Sequence, residues 1–95
     1  NRVAKGTQTL TVWKDARELG TTAGEAAIAL CANPDASAVA GTSPFTTPGG
    51  VTVAANLLTP QPIDQSNLNL VVDAGWISTD DLCADVEAGT VEICG

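Results

Sequence analysis

The stretch GTQTLTVWKDARELG, residues 6–20, contains the change of periodicity that decides the fold class. Threonines alternate with other residues over 7–13, which is the pattern of a β-strand with two different faces. The alternation ends at Lys14, and a helical spacing of apolar residues takes over. Lys14 is therefore predicted to close a strand at a strand-to-helix junction, the edge at which open α/β folds bind ligands.

A helix is predicted over residues 16–32. Asp15 stands at the N-cap position, where its carboxylate can accept a backbone hydrogen bond. Pro34 disfavours helical geometry in the residue before it and so ends the helix. Gly20 and Gly24 each cost about 1 kcal/mol relative to alanine. Two glycines four residues apart predict a helix that is pressed tightly against another surface.

The remainder of the chain predicts a second strand and further short helices. The expected elements are a loop over 36–50, a strand over 51–58, an extended Pro-containing segment over 59–62, a short helix capped by Asp64 and ended by Gly75, and a last helical turn capped by Ser78 or Thr79. Leu68, Val71 and Val72 are expected on the inner face of the short helix. The order strand, helix, strand, helix indicates an α/β fold. Because two or three strands are fewer than a sheet usually has, we expect the last portion of a larger doubly wound protein.

The charge of the chain argues against a nucleic-acid partner. The net charge is −7, and the only cationic side chains are those of Arg2, Lys5, Lys14 and Arg17. Nucleic-acid binding requires lysine and arginine side chains to neutralise phosphates, and none occurs beyond residue 17. The acidic balance therefore indicates a soluble surface rather than a polyanion-binding one.

Groups that catalyse reactions or hold cofactors are scarce. The chain has no His and no Tyr, so Ser-His-Asp chemistry is not available to it. The glycine-containing segments PGG and AGT lack the spacing of phosphate-binding loops. Asp80, Asp81 and Asp85 lack the alternating ligands and central glycine of a calcium loop, and we interpret them as a solvated acidic cap. We expect no enzyme activity, no metal and no cofactor.

The cysteine count is three. Cys83 and Cys94 flank a short acidic loop, and a disulfide between them would hold a terminus that otherwise frays. The alternative is two unpaired small hydrophobic residues. A zinc site has little support, because the chain has neither a CxxC pair nor a histidine. Cys31 lies near the apolar stripe of the first helix, where we expect a buried free thiol.

Lys14 and Trp13 are the candidate ligand-binding residues. The lysine ammonium offers three hydrogen-bond donors and no acceptor, which suits a sugar hydroxyl or ring oxygen. The indole of Trp13 is a candidate stacking platform for the face of a sugar. The alternatives are a lysine that faces only water and a tryptophan that packs in the core.

A family resemblance strengthens the sugar hypothesis. The segment GTQTLTVWKDARELGTTAGEAAIAL, residues 6–30, resembles the periplasmic D-xylose-binding proteins, which are the solute receptors of bacterial sugar ABC transporters. The resemblance continues through NLLTPQPIDQSNL, residues 56–68, and VVDAGWISTDDLC, residues 71–83. It therefore covers about residues 6–83, and the first of the three segments is the most specific.

The resemblance implies a periplasmic-binding-protein-like (type I) α/β sandwich, of which residues 1–95 are the C-terminal portion. In that two-lobed fold the sugar is trapped between lobes that are joined by hinge crossovers, here expected near 13–16 and 57–62. The tail over 83–95, expected to be clipped by Cys83 and Cys94, is not part of the family's general pattern. The family's lysine at the end of the first strand contacts the bound pentose, and it corresponds to Lys14.

The resemblance also implies partners and a location. The expected partners are a xylose-like monosaccharide, the upstream remainder of the same protein and the membrane permease of an ABC transporter. The chain begins at Asn1 rather than Met, and we expect a piece of a longer protein. The expected location is extracytoplasmic, in the periplasm or at the cell surface, including a lipid anchor attached upstream.

Some features depart from the family, and other functions compete. Trp13 replaces the usual tyrosine, which removes a hydroxyl near the site, and the family's other sugar contacts lie upstream of this chain. One alternative is the effector-binding domain of a sugar-responsive transcriptional regulator of the same fold. A Cys83–Cys94 disulfide would count against it, because cytosolic disulfides are rare. Another alternative is a stand-alone structural or interaction domain, which autonomous unfolding would favour.

Overall fold

The computed structural model describes residues 1–95 and divides into two compact units. Unit 1 comprises Asn1–Trp13 and Pro60–Gly95, and unit 2 comprises Lys14–Thr59. The chain therefore passes from one unit to the other twice, once after Trp13 and once before Pro60.

Helices and strands are mixed along the chain. In chain order they are β1 (Thr11–Trp13), α1 (Ala16–Ala32), a 3₁₀ turn (Ala36–Ala38), β2 (Ser43–Thr46), β3 (Thr52–Ala55), β4 (Gln61–Ile63), α2 (Asn69–Asp73), α3 (Thr79–Cys83) and a terminal 3₁₀ turn (Glu92–Cys94). The strands form two antiparallel pairs, β1 with β4 and β2 with β3. A mixed helix-and-strand composition agrees with the predicted class, and both sheets have only two strands.

Unit 1 contains all of the fully buried apolar side chains. They are those of Val3, Ala4, Ile63, Leu68, Leu82 and Val91. The half-buried Val71 and Val72 pack against this cluster, so the inner face predicted for the short helix is confirmed. The cluster joins the first turn of the chain, β4, both short helices and the tail, and burial of its apolar surface is what holds these segments together.

Strand β1 is shorter than predicted. Only Thr11–Trp13 is paired, with Trp13 opposite Gln61, whereas the prediction extended the strand back to residue 7. The backbone N–H groups of Thr7 and Gln8 donate instead to the carbonyl of Arg2, at 3.0 and 3.3 Å. These two N–H groups close the first turn of the chain. They are therefore not available for strand pairing at residues 7 and 8.

The extended segment predicted over 59–62 contributes a strand. Gln61–Ile63 pairs with β1, and Pro62 lies opposite Val12. Pro60 and Pro62 cannot donate a backbone N–H to a sheet ladder, so the sequence predicts an extended segment here rather than a strand. In a sheet of two strands each strand is an edge, and Pro is tolerated there because the missing N–H need not face a partner.

Helix α1 begins and ends where the sequence predicts. The carboxylate of Asp15 accepts a hydrogen bond from the backbone N–H of Arg17 at 2.9 Å, as expected of an N-cap. The expectation of tight packing at Gly20 and Gly24 is wrong, because a Cβ at either position would meet no atom within 4 Å. No residue of α1 is fully buried.

The predicted buried thiol is also on α1, and that prediction is wrong. Cys31 is free, as expected, but its side chain is exposed. Ala32 follows it as the last residue of the helix. An apolar residue at helical spacing indicates which side of a helix it occupies, but only the tertiary structure decides whether that side is covered.

The predicted loop over 36–50 contains structure that the sequence did not indicate. Ser43–Thr46 forms β2 and pairs with β3, which itself covers Thr52–Ala55 rather than all of 51–58. The hairpin connection is closed by the N–H of Gly50, which donates to the carbonyl of Thr47 at 2.8 Å. Gly50 has a φ of +82°, a conformation that glycine adopts at little cost.

Asp64 does not cap a helix, contrary to the prediction. Helix α2 begins five residues later, at Asn69. Its end is as predicted: Gly75 follows it with a φ of +71°, and the N–H groups of Gly75 and Trp76 donate back to Val72 and Val71 at 2.8 and 3.0 Å. This is the Schellman arrangement, which satisfies the last carbonyls of a helix.

The last helical turn, α3, is capped as predicted. The Ser78 hydroxyl oxygen accepts from the N–H of Asp81 at 3.1 Å and donates to its carboxylate at 2.6 Å. Of the two caps considered, Ser78 or Thr79, the structure therefore selects Ser78. None of the helices combines the length and apolar character needed to span a bilayer.

Candidate functional site

Trp13 is the last residue of unit 1 and the last residue of β1. Its side chain is half-buried and packs against the apolar cluster of that unit. This contact fits the core-packing alternative for the indole. A half-buried ring also keeps part of its surface open, and that part is what a stacking role would use.

Lys14 is the first residue of unit 2, directly after β1. It is exposed, and its ammonium makes no hydrogen bond or ion pair within the chain. Its three donors are therefore available to water or to a ligand. The lysine lies where the sequence placed it, at the strand-to-helix junction and next to the Asp15 cap.

The other lysine of the chain has a different environment. Lys5 lies in unit 1, and its Nζ is 3.9 Å from the Asp85 carboxylate, with 30% of its side chain exposed. A loose ion pair of this kind contributes at most about 1 kcal/mol. Lys5 is thus the natural comparison for Lys14, because it has the same chemistry and already has a protein partner.

The predicted disulfide is present. Cys83, at the end of α3, is bonded to Cys94 in the terminal 3₁₀ turn, with their Cα atoms 5.4 Å apart. Both half-cystines pack against the apolar cluster of unit 1. The bond ties the last residues of the chain to that cluster, which agrees with an extracytoplasmic location, where disulfides persist.

No metal-binding cluster is found. Nowhere do three His, Cys, Asp or Glu side chains lie close enough together to hold an ion. Asp80 and Asp81 lie in the first turn of α3, where negative charge is favourable at a helix N-terminus.

Asp64 forms a tight turn with Ser66. The Ser66 hydroxyl and backbone N–H both donate to the same carboxylate oxygen, at 2.5 and 2.8 Å. The hydroxyl bond and then the backbone bond lower the pKa of Asp64, because they favour the ionised form. Asp35 and Ser37 repeat this arrangement in unit 2, and there too the hydroxyl and then the backbone bond lower the carboxyl pKa.

Replacement of Ser66 by alanine should raise the pKa of Asp64 part of the way back to the ordinary aspartate value of about 3.9. The pKa of Asp64 is lower in the folded chain than in the unfolded chain. The ionised carboxylate therefore stabilises the turn at pH values above the unfolded-state pKa, and this stabilisation is lost as the pH falls through the folded-state pKa. Carboxyl carbon chemical shifts followed against pH measure the change.

Ser37→Ala is the matched control for this titration. It should raise the pKa of Asp35 and leave that of Asp64 unchanged, because the Ser37 hydroxyl donates to Asp35 and the Ser66 hydroxyl to Asp64. An unaltered Asp64 titration in Ser66→Ala would contradict the assignment of the shift to the hydroxyl.

A cavity in unit 1 has neither Trp13 nor Lys14 in its lining. It is lined by side chains of the 65–69 segment and of the terminal 3₁₀ turn. Leu68 was expected on the inner face of the short helix, but no motif marks the polar residues of this lining, because amide and hydroxyl side chains in a turn form no recognisable pattern. Only the disulfide between Cys83 and Cys94 indicated that the tail would return to the body of unit 1.

Comparisons with protein-family models, with curated proteins and with solved structures returned no match to this chain.

Proposed function

We propose that this chain is the C-terminal portion of a sugar-binding receptor that delivers D-xylose or a related monosaccharide to a bacterial ABC importer. The proposed fold of the whole receptor is the type I periplasmic-binding-protein sandwich. The proposed partners are the upstream remainder of the receptor and a membrane permease. The proposal rests first on the resemblance of residues 6–30, 56–68 and 71–83 to the D-xylose-binding family.

The observation that carries the proposal is the position of the two points at which the chain passes from one unit to the other. The chain does so between Trp13 and Lys14 and again between Thr59 and Pro60, inside the segments 13–16 and 57–62 expected to be hinge crossovers. The strands at these two positions, β1 and β4, are hydrogen-bonded side by side. Both crossings thus lie next to one hydrogen-bonded strand pair of unit 1, which supports the proposal because hinges are formed by a few residues at the ends of such elements.

The exposure of Lys14 and the absence of a protein partner for its ammonium also support the proposal. An exposed ammonium with no protein partner, beside the crossing, has its donors available for the hydroxyl or ring oxygen of a sugar. The disulfide supports the extracytoplasmic receptor over the cytoplasmic regulator of the same fold, because cytosolic disulfides are rare. Unit 2 has no fully buried side chain, which favours a part of a larger protein over a stand-alone domain.

In the receptor that carries this segment, Lys14→Ala should weaken D-xylose binding by about 10- to 100-fold. A hydrogen bond to a charged group contributes about 1.5–3 kcal/mol, and each 1.4 kcal/mol is a factor of ten in affinity. Calorimetric titration of D-xylose into the receptor measures the change. The chain of 95 residues alone should bind weakly, because it lacks the family's other sugar contacts.

Lys5→Ala is the matched control, since it removes a lysine that is paired with Asp85. It should leave the dissociation constant unchanged. If the folded receptor gives no heat with xylose or related sugars, the sugar assignment is wrong. If xylose binds equally well to Lys14→Ala, the receptor function stands and the role of Lys14 is wrong.

A further inference from the structure

A cavity of about 460 Å³ lies in unit 1, and neither Trp13 nor Lys14 lines it. Six side chains line it: those of Gln65, Ser66, Leu68, Asn69, Glu92 and Ile93. Small-molecule sites typically measure about 300–1,000 Å³ and combine an apolar surface with a few convergent polar groups. The cavity has both features, because Leu68 and Ile93 are apolar and the other four are polar.

One wall of the cavity is a turn fixed by side-chain hydrogen bonds. The Asn67 amide oxygen accepts from the N–H of Asp64 at 2.9 Å, and its Nδ2 donates to the carbonyl of Pro62 at 2.9 Å. Leu68, next along the chain, is 3% exposed and belongs to the apolar cluster. The turn that presents Gln65, Ser66 and Asn69 is therefore held in place before any ligand arrives.

The opposite wall, the terminal 3₁₀ turn, is held covalently. Cys94 is bonded to Cys83 of α3, and its N–H donates to the carbonyl of Val91 at 3.1 Å. The N–H of Gly89 donates to the carbonyl of Gly95 at 2.7 Å, which closes the tail. With both walls fixed, a ligand would order little of the protein on binding, and pre-organisation of this kind favours affinity.

The polar side chains of the cavity are exposed, and each of its two amide groups uses one of its two N–H donors within the chain. Gln65 Nε2 donates to the carbonyl of Ala4 at 3.4 Å, and Asn69 Nδ2 donates to the Asp73 carboxylate at 3.4 Å. The Ser66 hydroxyl donates to Asp64. The amide oxygens of Gln65 and Asn69 and the carboxylate of Glu92 accept no hydrogen bond from another side chain. These open acceptors, and above all the Glu92 carboxylate, which has no donor of its own, can accept hydrogen bonds from a ligand.

The charge of unit 1 adds a preference for cations. Its carboxylates belong to Asp64, Asp73, Asp80, Asp81, Asp85, Glu87 and Glu92, and its cationic side chains are those of Arg2 and Lys5. An excess of one sign raises the local concentration of ligands of the other sign. Glu92 brings one of these negative charges to the cavity itself.

We propose that this cavity binds a small organic primary ammonium compound with an aliphatic body. Its three N–H donors match the open oxygens of Gln65, Asn69 and Glu92. Its aliphatic part lies against Leu68 and Ile93, which supply the apolar surface. This site uses none of the residues that the sugar-receptor proposal requires, so either proposal can fail without the other.

The test is a titration of the 95-residue chain with n-pentylammonium chloride, followed by backbone amide NMR shifts. We expect saturable shifts confined to residues 65–69 and 91–94. Glu92→Gln should weaken the apparent affinity about fivefold, the scale of an exposed ion pair. Glu87→Gln is the matched control: it removes the same charge from the same tail, but residue 87 does not line the cavity. It should leave the affinity unchanged.

1-Pentanol, which has the same aliphatic body without the ammonium, is the second probe and should produce no saturable shift at these residues. Three outcomes would overturn the proposal. Equal weakening by Glu92→Gln and Glu87→Gln would show diffuse attraction to an acidic surface. Pentanol binding as well as pentylammonium would show an apolar groove without a cation preference. An absence of saturable shifts with pentylammonium would show that the cavity takes no ligand of this class.

Discussion

Loss of the Cys83–Cys94 disulfide is expected to destabilise unit 1 by about 3 kcal/mol. The bond joins residues 11 positions apart, and the chain-entropy model gives a stabilisation of this size for a loop of about a dozen residues. The effect should be large for this molecule because small domains are stable by only about 5–15 kcal/mol. The tail it anchors contributes Val91, one of the few fully buried side chains.

The measurement is denaturant unfolding of the double variant Cys83→Ser/Cys94→Ser, followed by tryptophan fluorescence. Trp13 and Trp76 are the only tryptophans and both lie in unit 1, so the signal reports that unit. Unmodified protein in reductant should behave like the double variant. Cys31→Ser should behave like the unmodified protein, because its thiol is free and exposed. An unchanged unfolding midpoint in the double variant would refute the proposed contribution of the bond.

Leu82→Ala is expected to cost unit 1 about 3 kcal/mol, within the range of about 2–5 kcal/mol for leucine truncation in a core. Leu82 is 2% exposed and lies among the six side chains of the apolar cluster. Truncation removes buried apolar surface and leaves a cavity that the neighbours fill only in part. With so few buried side chains, unit 1 has little else to compensate for the loss.

Leu70→Ala is the matched control for this substitution. Leu70 lies in α2 of the same unit, is also helical, and is 38% exposed, so its truncation should cost about 1 kcal/mol or less. The same fluorescence-detected unfolding compares the two variants. Equal losses would mean that the apolar cluster does not determine the stability of unit 1.

The two units differ in what holds them together. Unit 1 has a cluster of buried side chains and a disulfide, whereas unit 2 has neither and contains α1, whose Leu19 and Ile28 are 60% and 74% exposed. Most helical stability in proteins comes from packing of an apolar face rather than from helix propensity. The exposed side chains of α1 are therefore consistent with the larger receptor that we propose.

Local interactions explain why several features could be predicted from the sequence. Helix α1 has the predicted limits because an N-cap at Asp15 and a proline at position 34 act on the adjacent backbone. The Gly75 helix end and the Ser78 cap are equally local. The disulfide was also predicted, since a short loop brings Cys83 and Cys94 within reach of each other.

The errors have two sources: a strand partner that the sequence did not reveal, and a local turn that replaces the predicted element. Strand β1 is limited by how much of β4 lies opposite it, and β2 exists because β3 pairs with it. Asp64 is the local case: it caps a turn rather than a helix because its neighbours Ser66 and Asn67 form hydrogen bonds with it.

Among the candidate site residues, some could be placed from local sequence signals and others only from the folded structure. Lys14 could be placed at a strand-to-helix junction from local signals alone, because the strand period, the helix period and an N-cap meet there. Only the tertiary structure decided that Cys31 is exposed, that Trp13 packs against the core and that Gln65 and Glu92 line one cavity. Caps and turns act within a few residues, whereas burial and cavity formation depend on segments that the folded chain brings together from far apart.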